Sequence, residues 1–130
     1  MDSKLVKRFY DRWPQWFQGL TKSPMESCLA FGFDCSNGWF DLLWQLCEDI
    51  EKLNPPEDFE VTQVKEKFGG LRFYVDVATE EIFDRIAQAE DDSYKTCEAC
   101  GSTENVTSER SWIITLCSNC RDKHYAQDDS

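Results

Sequence analysis

Four cysteines near one end of the sequence have the type and spacing that hold a metal ion. Thr96-Cys97-Glu98-Ala99-Cys100-Gly101 and Leu116-Cys117-Ser118-Asn119-Cys120 form two C-x2-C pairs with sixteen residues between them. That separation lies in the range of structural zinc sites. Four thiolates close a tetrahedron around Zn²⁺ at about 2.3 Å each and leave no position for water or substrate. Gly101 supplies the left-handed backbone that a tight metal-binding turn demands. Two redox-active pairs, or structural disulfides, are the competing readings. Zinc is preferred because two such pairs at this distance are far more specific than one. His124, the sole histidine, follows Cys120 by four positions and can in principle replace one cysteine, although four already suffice.

Little else offers chemistry. With one histidine there is no spacing that suggests a Ser/His or Cys/His nucleophile pair, and neither G-x-x-x-x-G-K-[ST] nor G-x-G-x-x-G occurs. Twenty-five acids make carboxylate pairs uninformative. A closed four-cysteine site is structural rather than catalytic. The sequence therefore reads as non-enzymatic, with no catalytic residue and Zn²⁺ as the one cofactor.

The elements that must position the cysteines follow from periodicity. Leu5, Val6, Phe9, Tyr10 and Trp13 mark a short amphipathic helix ended by Pro14. Lys7, Arg8 and Arg12 among these aromatics allow a nucleic-acid stacking patch, but a core-docking helix with a solvated basic edge is the simpler reading. Ser23-Pro24 predicts a helix start carrying Met25, Cys28, Leu29 and Phe31 to Gly32, with Cys28 inward. Trp39, Leu43, Leu46, Ile50 and Leu53 form one stripe of the strongest helix, with Leu42 and Cys47 beside it, stopped by Asn54-Pro55-Pro56. A β-hairpin is predicted over 59–68 and 71–77, with a bulge near Gln63 and the turn at Gly69-Gly70. Lys65, Lys67, Arg72 and Tyr74 gather on or near its outer face, as an anion- or RNA-facing patch or as partners of Glu60, Glu66 and Asp76. Thr79 caps a further helix with Ile82, Phe83, Ile86, Ala89 and Tyr94 inward. Val106-Thr107 and Trp112 to Leu116 are strand material between the cysteine pairs, and 118–125 can form a helix. Knuckle, hairpin, knuckle, helix is the order of a treble-clef finger.

The expected fold class is α+β: N-terminal helices and a β-hairpin packed on a long amphipathic helix, followed by a treble-clef or zinc-ribbon-like finger. The expected division is a body over 1–95, a finger over 96–126 packed on it, and a frayed tail over 127–130. Nine Phe, five Trp and four Tyr give the body an ordinary core. Seven cysteines, an odd number, with Cys28, Cys35 and Cys47 left over from the metal site, no signal peptide and no membrane-length apolar run lead to the expectation of a cytosolic protein.

The runs 38–42 (GWFDL), 64–74 (VKEKFGGLRFY), 97–101 (CEACG) and 112–117 (WIITLC) resemble small uncharacterised proteins of bacteriophages and prophages. The resemblance spans about residues 35–121 and carries no known activity. It implies a phage or mobile-element setting, a bacterial host cytoplasm, and a metal site at Cys97, Cys100, Cys117 and Cys120.

The net charge is −11, and it is uneven: residues 1–22 carry +3 and the remainder −14. Such an acidic chain suits a partner with a basic surface. The expected function is a protein-binding module, a phage factor that docks on and modulates a host protein of defence or nucleic-acid machinery, in the manner of an anti-CRISPR or a DNA mimic. Glu48, Asp49 and Glu51 on the long helix and Glu90, Asp91 and Asp92 on the later one are the candidate interface carboxylates. Trp16 and Trp112 are candidate aromatic anchors. The alternative is a nucleic-acid-binding zinc finger. Residues 97–130 disfavour it, with Arg110, Arg121 and Lys123 against six acids.

Overall fold

The computed structural model describes residues 1–109 and 114–128. Within them the chain is α+β, with four α-helices and two two-stranded antiparallel sheets. No helix among the described residues is long and apolar enough to cross a membrane.

Helix α1 (Ser3–Arg12) buries Val6 and Phe9, and Trp13 closes it by donating its backbone N–H to Phe9 O. Phe9 is the hub of an aromatic cluster, with ring centroids 5.1–6.2 Å from Trp13, Phe17, Phe33, Phe40 and Trp44. The basic edge of α1 is used locally. Arg8 lies over the rings of Phe40 and Trp44, and Arg12 over Trp13. Lys7 pairs with Asp11. Arg8 and Arg12 dock the helix on its neighbours, while Lys7 is paired within it. Trp16 stacks on Trp13 and meets Phe59 edge-on, so it too is part of the packing.

The helix expected from Ser23 does not form. A turn at 24–26 leads to a single 3-10 turn, Cys28–Phe31, capped by Ser27, whose hydroxyl accepts from Leu29 N–H. Ten residues ending in Gly32 are too few to sustain a helix without a packed face, and only Leu29 is buried. Met25 is 99% and Phe31 77% exposed, and Cys28 is exposed rather than inward. The segment folds back on the 3-10 turn Gln18–Thr21, where a side chain at Gly19 would overlap Ser27 Oγ.

Helix α2 (Phe40–Lys52), entered through the 3-10 turn Asn37–Trp39, carries the main core stripe. Trp39, Leu43, Leu46, Cys47 and Ile50 are all fully buried. Leu42 and Leu53 are half-buried at its margins. Strands β1 (Glu60–Lys67) and β2 (Gly70–Asp76) form the predicted hairpin, with the register slipping between Val61 and Gln63. Its turn is Phe68-Gly69, one residue earlier than expected. Lys67 pairs with Gly70, and Phe68 and Gly69 both take positive φ, 53° and 85°. Gly70 is needed for space instead, because the Tyr94 ring lies where its Cβ would be.

Both hairpin edges are covered. Asp34 bridges to β1 through Asp34 N to Val64 O and Glu66 N to Asp34 O, each 2.9 Å. Along β2 runs α3 (Glu80–Ser93), capped by Thr79 as expected. Ser93 Oγ accepts from Leu71 N–H at 2.8 Å and Glu90 Oε2 from Phe73 N–H at 3.1 Å, so helix side chains take the place of a third strand. Ile82, Ile86 and Ala89 face the core, but Phe83 is 52% exposed and Tyr94 37% exposed. Only one side of the 3.6-residue stripe meets the hairpin and α2, and Phe83 lies on the other.

Strands β3 (Val106–Glu109) and β4 (Ile114–Cys117) pair antiparallel, and α4 (Ser118–Asp128) leaves the second cysteine pair. Trp112 and Ile113 of the expected finger strand, Arg110 of the finger's basic residues, and Asp129 and Ser130 of the expected tail lie outside the described residues. The apolar interior falls into two clusters, a large one in the body and a small one of Cys97, Leu116 and Cys117.

Candidate metal centre

The two knuckles converge. One sulfur from each of Cys97, Cys100, Cys117 and Cys120 lies within 4.8 Å of every other. A tetrahedral four-sulfur site with bonds of about 2.3 Å puts its sulfurs about 3.8 Å apart; Cys100 Sγ and Cys117 Sγ are 3.7 Å apart. The cluster is graded from inside to outside: Cys97 and Cys117 are buried, Cys120 is half-buried and Cys100 is exposed. These four soft donors can hold one metal ion.

The first knuckle is built by its backbone. Cys97 N–H donates to Ser102 O and Gly101 N–H to Cys97 O, both 2.8 Å. Gly101 holds φ 85°, and a Cβ there would press on Gly38 O. The second knuckle is the end of β4 turning into α4. Electrostatics prepare the cluster for a cation. Burial pushes the Cys97 thiol up, but amides of Cys117, Cys100 and Ala99 directed at its sulfur outweigh this and bring it to about 7. Burial and then the neighbouring sulfurs push Cys120 up to about 12. A thiolate at Cys97 and the neighbouring sulfurs oppose ionisation of Cys120, and a cation among them would relieve that opposition. The other cysteines are unlike these. Burial raises Cys35 to about 12 and raises Cys47 as well, as inert thiols in the core.

The seat of the cluster is its least expected part. Gly38 N–H donates to Glu98 O at 2.7 Å, and Ser36 N–H to Glu98 Oε2 at 2.9 Å. The Trp39 indole N–H donates to Thr96 O at 3.0 Å inside the core. On the other side Thr115 donates its hydroxyl to Gly69 O at 2.6 Å, while Glu98 N–H donates to Thr115 O at 2.9 Å. A side chain at Gly38 would collide with the backbone of Cys97 and Glu98. Thus 38–42, the hairpin turn and both cysteine runs meet at one seam. Burial lifts the Glu98 carboxyl above its ordinary range, against the pull of the Ser36 amide. Ser36, Glu98 and Thr115 were not singled out by spacing. The one local signal was a carboxylate inside the first C-x2-C.

The candidate interface carboxylates are differently employed. Asp49 pairs with Arg85 at 2.9 Å. Glu51 pairs with Arg12 at 2.8 Å and accepts from Trp13 Nε1 at 2.6 Å. Glu90 holds β2, and Asp92 accepts from Gln88 and, through its carbonyl, from Thr96. Glu48 is half-buried and Asp91 exposed. His124 borders a cavity of about 460 Å³ with Glu66, Glu98 and Cys120. No family model, curated protein or solved structure matches this chain.

Proposed function

We propose that this chain is a non-enzymatic, zinc-stapled protein-binding module, a phage-encoded factor that docks on a host protein of defence or nucleic-acid machinery and modulates it. Zinc is assigned because four thiolates at tetrahedral spacing match its preference and fill its coordination, leaving no open position for chemistry. The order of knuckle, hairpin, knuckle and helix is read as a treble clef. Nucleic-acid binding through the finger itself is disfavoured, since Arg121 is turned back onto Leu116 O.

The observation that supports protein docking is the outer face of α3. The helix carries Glu80, Glu81, Asp84, Glu90, Asp91 and Asp92 against Arg85 alone. On this face Phe83 is 52% exposed with Ala87 one turn on. A half-exposed ring in a carboxylate field is the pattern of an interface anchor with a charged rim: the ring supplies affinity and the carboxylates steer a basic partner. Of the six carboxylates first considered, Asp91 lies on this helix and remains available for that rim, joined by Glu80 and Asp84.

The test is affinity capture from host lysate with wild type and Phe83→Ala side by side, followed by association kinetics with the captured protein. Wild type should retain a protein that the variant loses. Asp84→Lys with Asp91→Lys should slow association and flatten its salt dependence. Identical capture by wild type and Phe83→Ala sinks the assignment of this face.

A further inference from the structure

We propose that the outer face of the β1–β2 hairpin is a second binding surface, which takes single-stranded nucleic acid through Lys65, Lys67 and Arg72 and the rings of Phe68, Tyr74 and Tyr94. The inference goes beyond the protein-docking reading and does not rest on it, since the two use different faces.

The register puts these groups together. Val61, Val64, Leu71 and Phe73 take the buried face. Cross-strand partners share a side, so Lys65 opposite Arg72, Lys67 opposite Gly70, and Tyr74 opposite Gln63 share the other. Tyr94 lies over Gly70 on that same side, beside the Arg72 side chain, which donates to Leu71 O at 3.0 Å. Phe68 stands at the tip. The face thus alternates ring, cations and ring along an extended strand pair.

Within the fold Lys67 reaches the Phe68 ring, its Nζ 5.8 Å from the centroid, and Arg72 donates to Leu71 O, but three features of the face remain unfavourable. Lys65 and Arg72 are like charges placed directly opposite each other, which destabilises a hairpin. In a chain of net charge −11, Lys65, Lys67 and Arg72 form no ion pair among the described residues, where the pairs are Lys7–Asp11, Arg12–Glu51 and Arg85–Asp49. Phe68 is 65% exposed and sits at φ 53° in a turn where Asn or Gly is favoured. An exposed aromatic in a left-handed position costs stability twice, once in backbone and once in hydration.

The chemistry selects the ligand. Rings alternating with cations on an open strand face bind stacked bases and the phosphates between them. A duplex would present phosphates but no ring faces to stack on. The nearest acid on this side is exposed Asp34, the bridge partner of Lys65, and three cations against that one carboxylate leave the face positive toward its tip. Glu60 and Asp76 pair with each other at the far end of the hairpin. Asp76 is four residues from Arg72, about 13 Å along the strand, and fields between exposed charges are largely screened beyond about 8 Å at physiological salt. Glu90 lies nearer Arg72, on the β2 edge where it accepts from Phe73 N–H, and offsets part of that cation's charge. The groove continuing toward Lys22 also carries Glu26, so the positive part of the face is its tip half.

The experiment is fluorescence anisotropy of the full metal-loaded chain with a labelled oligo(dT) strand of about 12 nucleotides, a length of the order that one such face covers. Three phosphate contacts give a log–log salt slope of about −2, so raising salt fourfold should weaken binding about 20-fold. Lys65→Glu with Lys67→Glu should abolish binding while keeping or raising the melting temperature, because the carboxylate introduced by Lys65→Glu would then oppose Arg72 favourably. Phe68→Asn should keep the salt slope, keep or raise the melting temperature, and weaken binding about fivefold or more. No saturable binding by wild type at low salt overturns the proposal, as does binding that both variants leave intact. If polyglutamate displaces the strand at equal charge concentration and Phe68→Asn changes nothing, the face is an acidic-protein dock and the nucleic-acid assignment is overturned.

Discussion

Among the residues of the metal centre, the decisive quantity is how many thiols can ionise together. Cys97 is ready to do so near neutral pH, whereas Cys120 is held at about 12 by burial and its sulfur neighbours. A cation held by all four sulfurs would relieve that opposition, and loss of any one sulfur opens the tetrahedron. Cys97→Ser or Cys117→Ser should reduce bound zinc from one per chain to near zero by elemental analysis, and Cys28→Ser, at an exposed position away from the cluster, should leave it at one. Trp39 is a second decisive residue. Its indole is fully buried and donates to Thr96 O. Trp39→Phe removes the indole N–H, strands that carbonyl and leaves a cavity in place of the larger ring, so in urea unfolding it should cost more than the about 1–3 kcal/mol of the stranded group alone. The four cysteines were legible in the sequence because C-x2-C is a local pattern. Trp39, Glu98 and Thr115 as the seat were not, because each partner lies 46–62 residues away in the chain, and no local spacing carries that information.

Secondary-structure elements were legible where a period met a full partner. The stripe of α2 and the alternation of β1 and β2 each face a continuous core, and the structure keeps them. The stretch 23–32 had a cap and a proline but no face to bury, and it remained turns. The inward side of α3 was misread at Phe83 because periodicity gives a stripe's direction and not its width; the width is set by β2, whose edge amides Ser93 and Glu90 occupy. Element junctions carry two further expectations. Arg12 and Trp13 hold the Glu51 carboxyl below its ordinary range and so tie α1 to α2. A depressed folded-state value means that the stability is present above the unfolded carboxylate's titration and is lost as pH falls through the folded value. Glu51→Gln should therefore flatten the fall of stability between about pH 5 and pH 3 in urea titrations, with little effect at lower pH. Gly38 is the element-scale hinge of the seam, since a methyl group there meets backbone rather than a movable side chain. Gly38→Ala should lower the melting temperature more than Gly32→Ala, although Gly32 has the positive φ, because nothing lies within 4 Å of Gly32. Equal shifts would mean that the finger can slide on the body.

In the whole molecule, two apolar clusters of very unequal size are joined by a seam that is almost entirely polar. The body core contains Trp39, Phe9, Phe17 and Phe59, each essentially inaccessible to water, and burial of side chains of this size stabilises by about 1.5–3 kcal/mol apiece. The small cluster has Leu116 and two of the cysteines themselves, so it has no comparable source of stability without the ion. The seam bonds contribute about 1 kcal/mol each, enough to hold a metal-bound finger in place and too little to fold an empty one. Metal removal should therefore unfold the finger and leave the body standing. With a chelator, hydrogen exchange should lose protection over 97–109 and 114–120 and also at Ser36 and Gly38, whose amides are bonded only to Glu98 across the seam. Protection should persist in α2 and in β1–β2, and most of the far-ultraviolet helix signal should remain. Readdition of zinc should restore the lost amides together. If chelation instead strips protection from α2 and the finger at the same rate, the body depends on the finger for its own core, and the chain folds as a single cooperative unit around its metal.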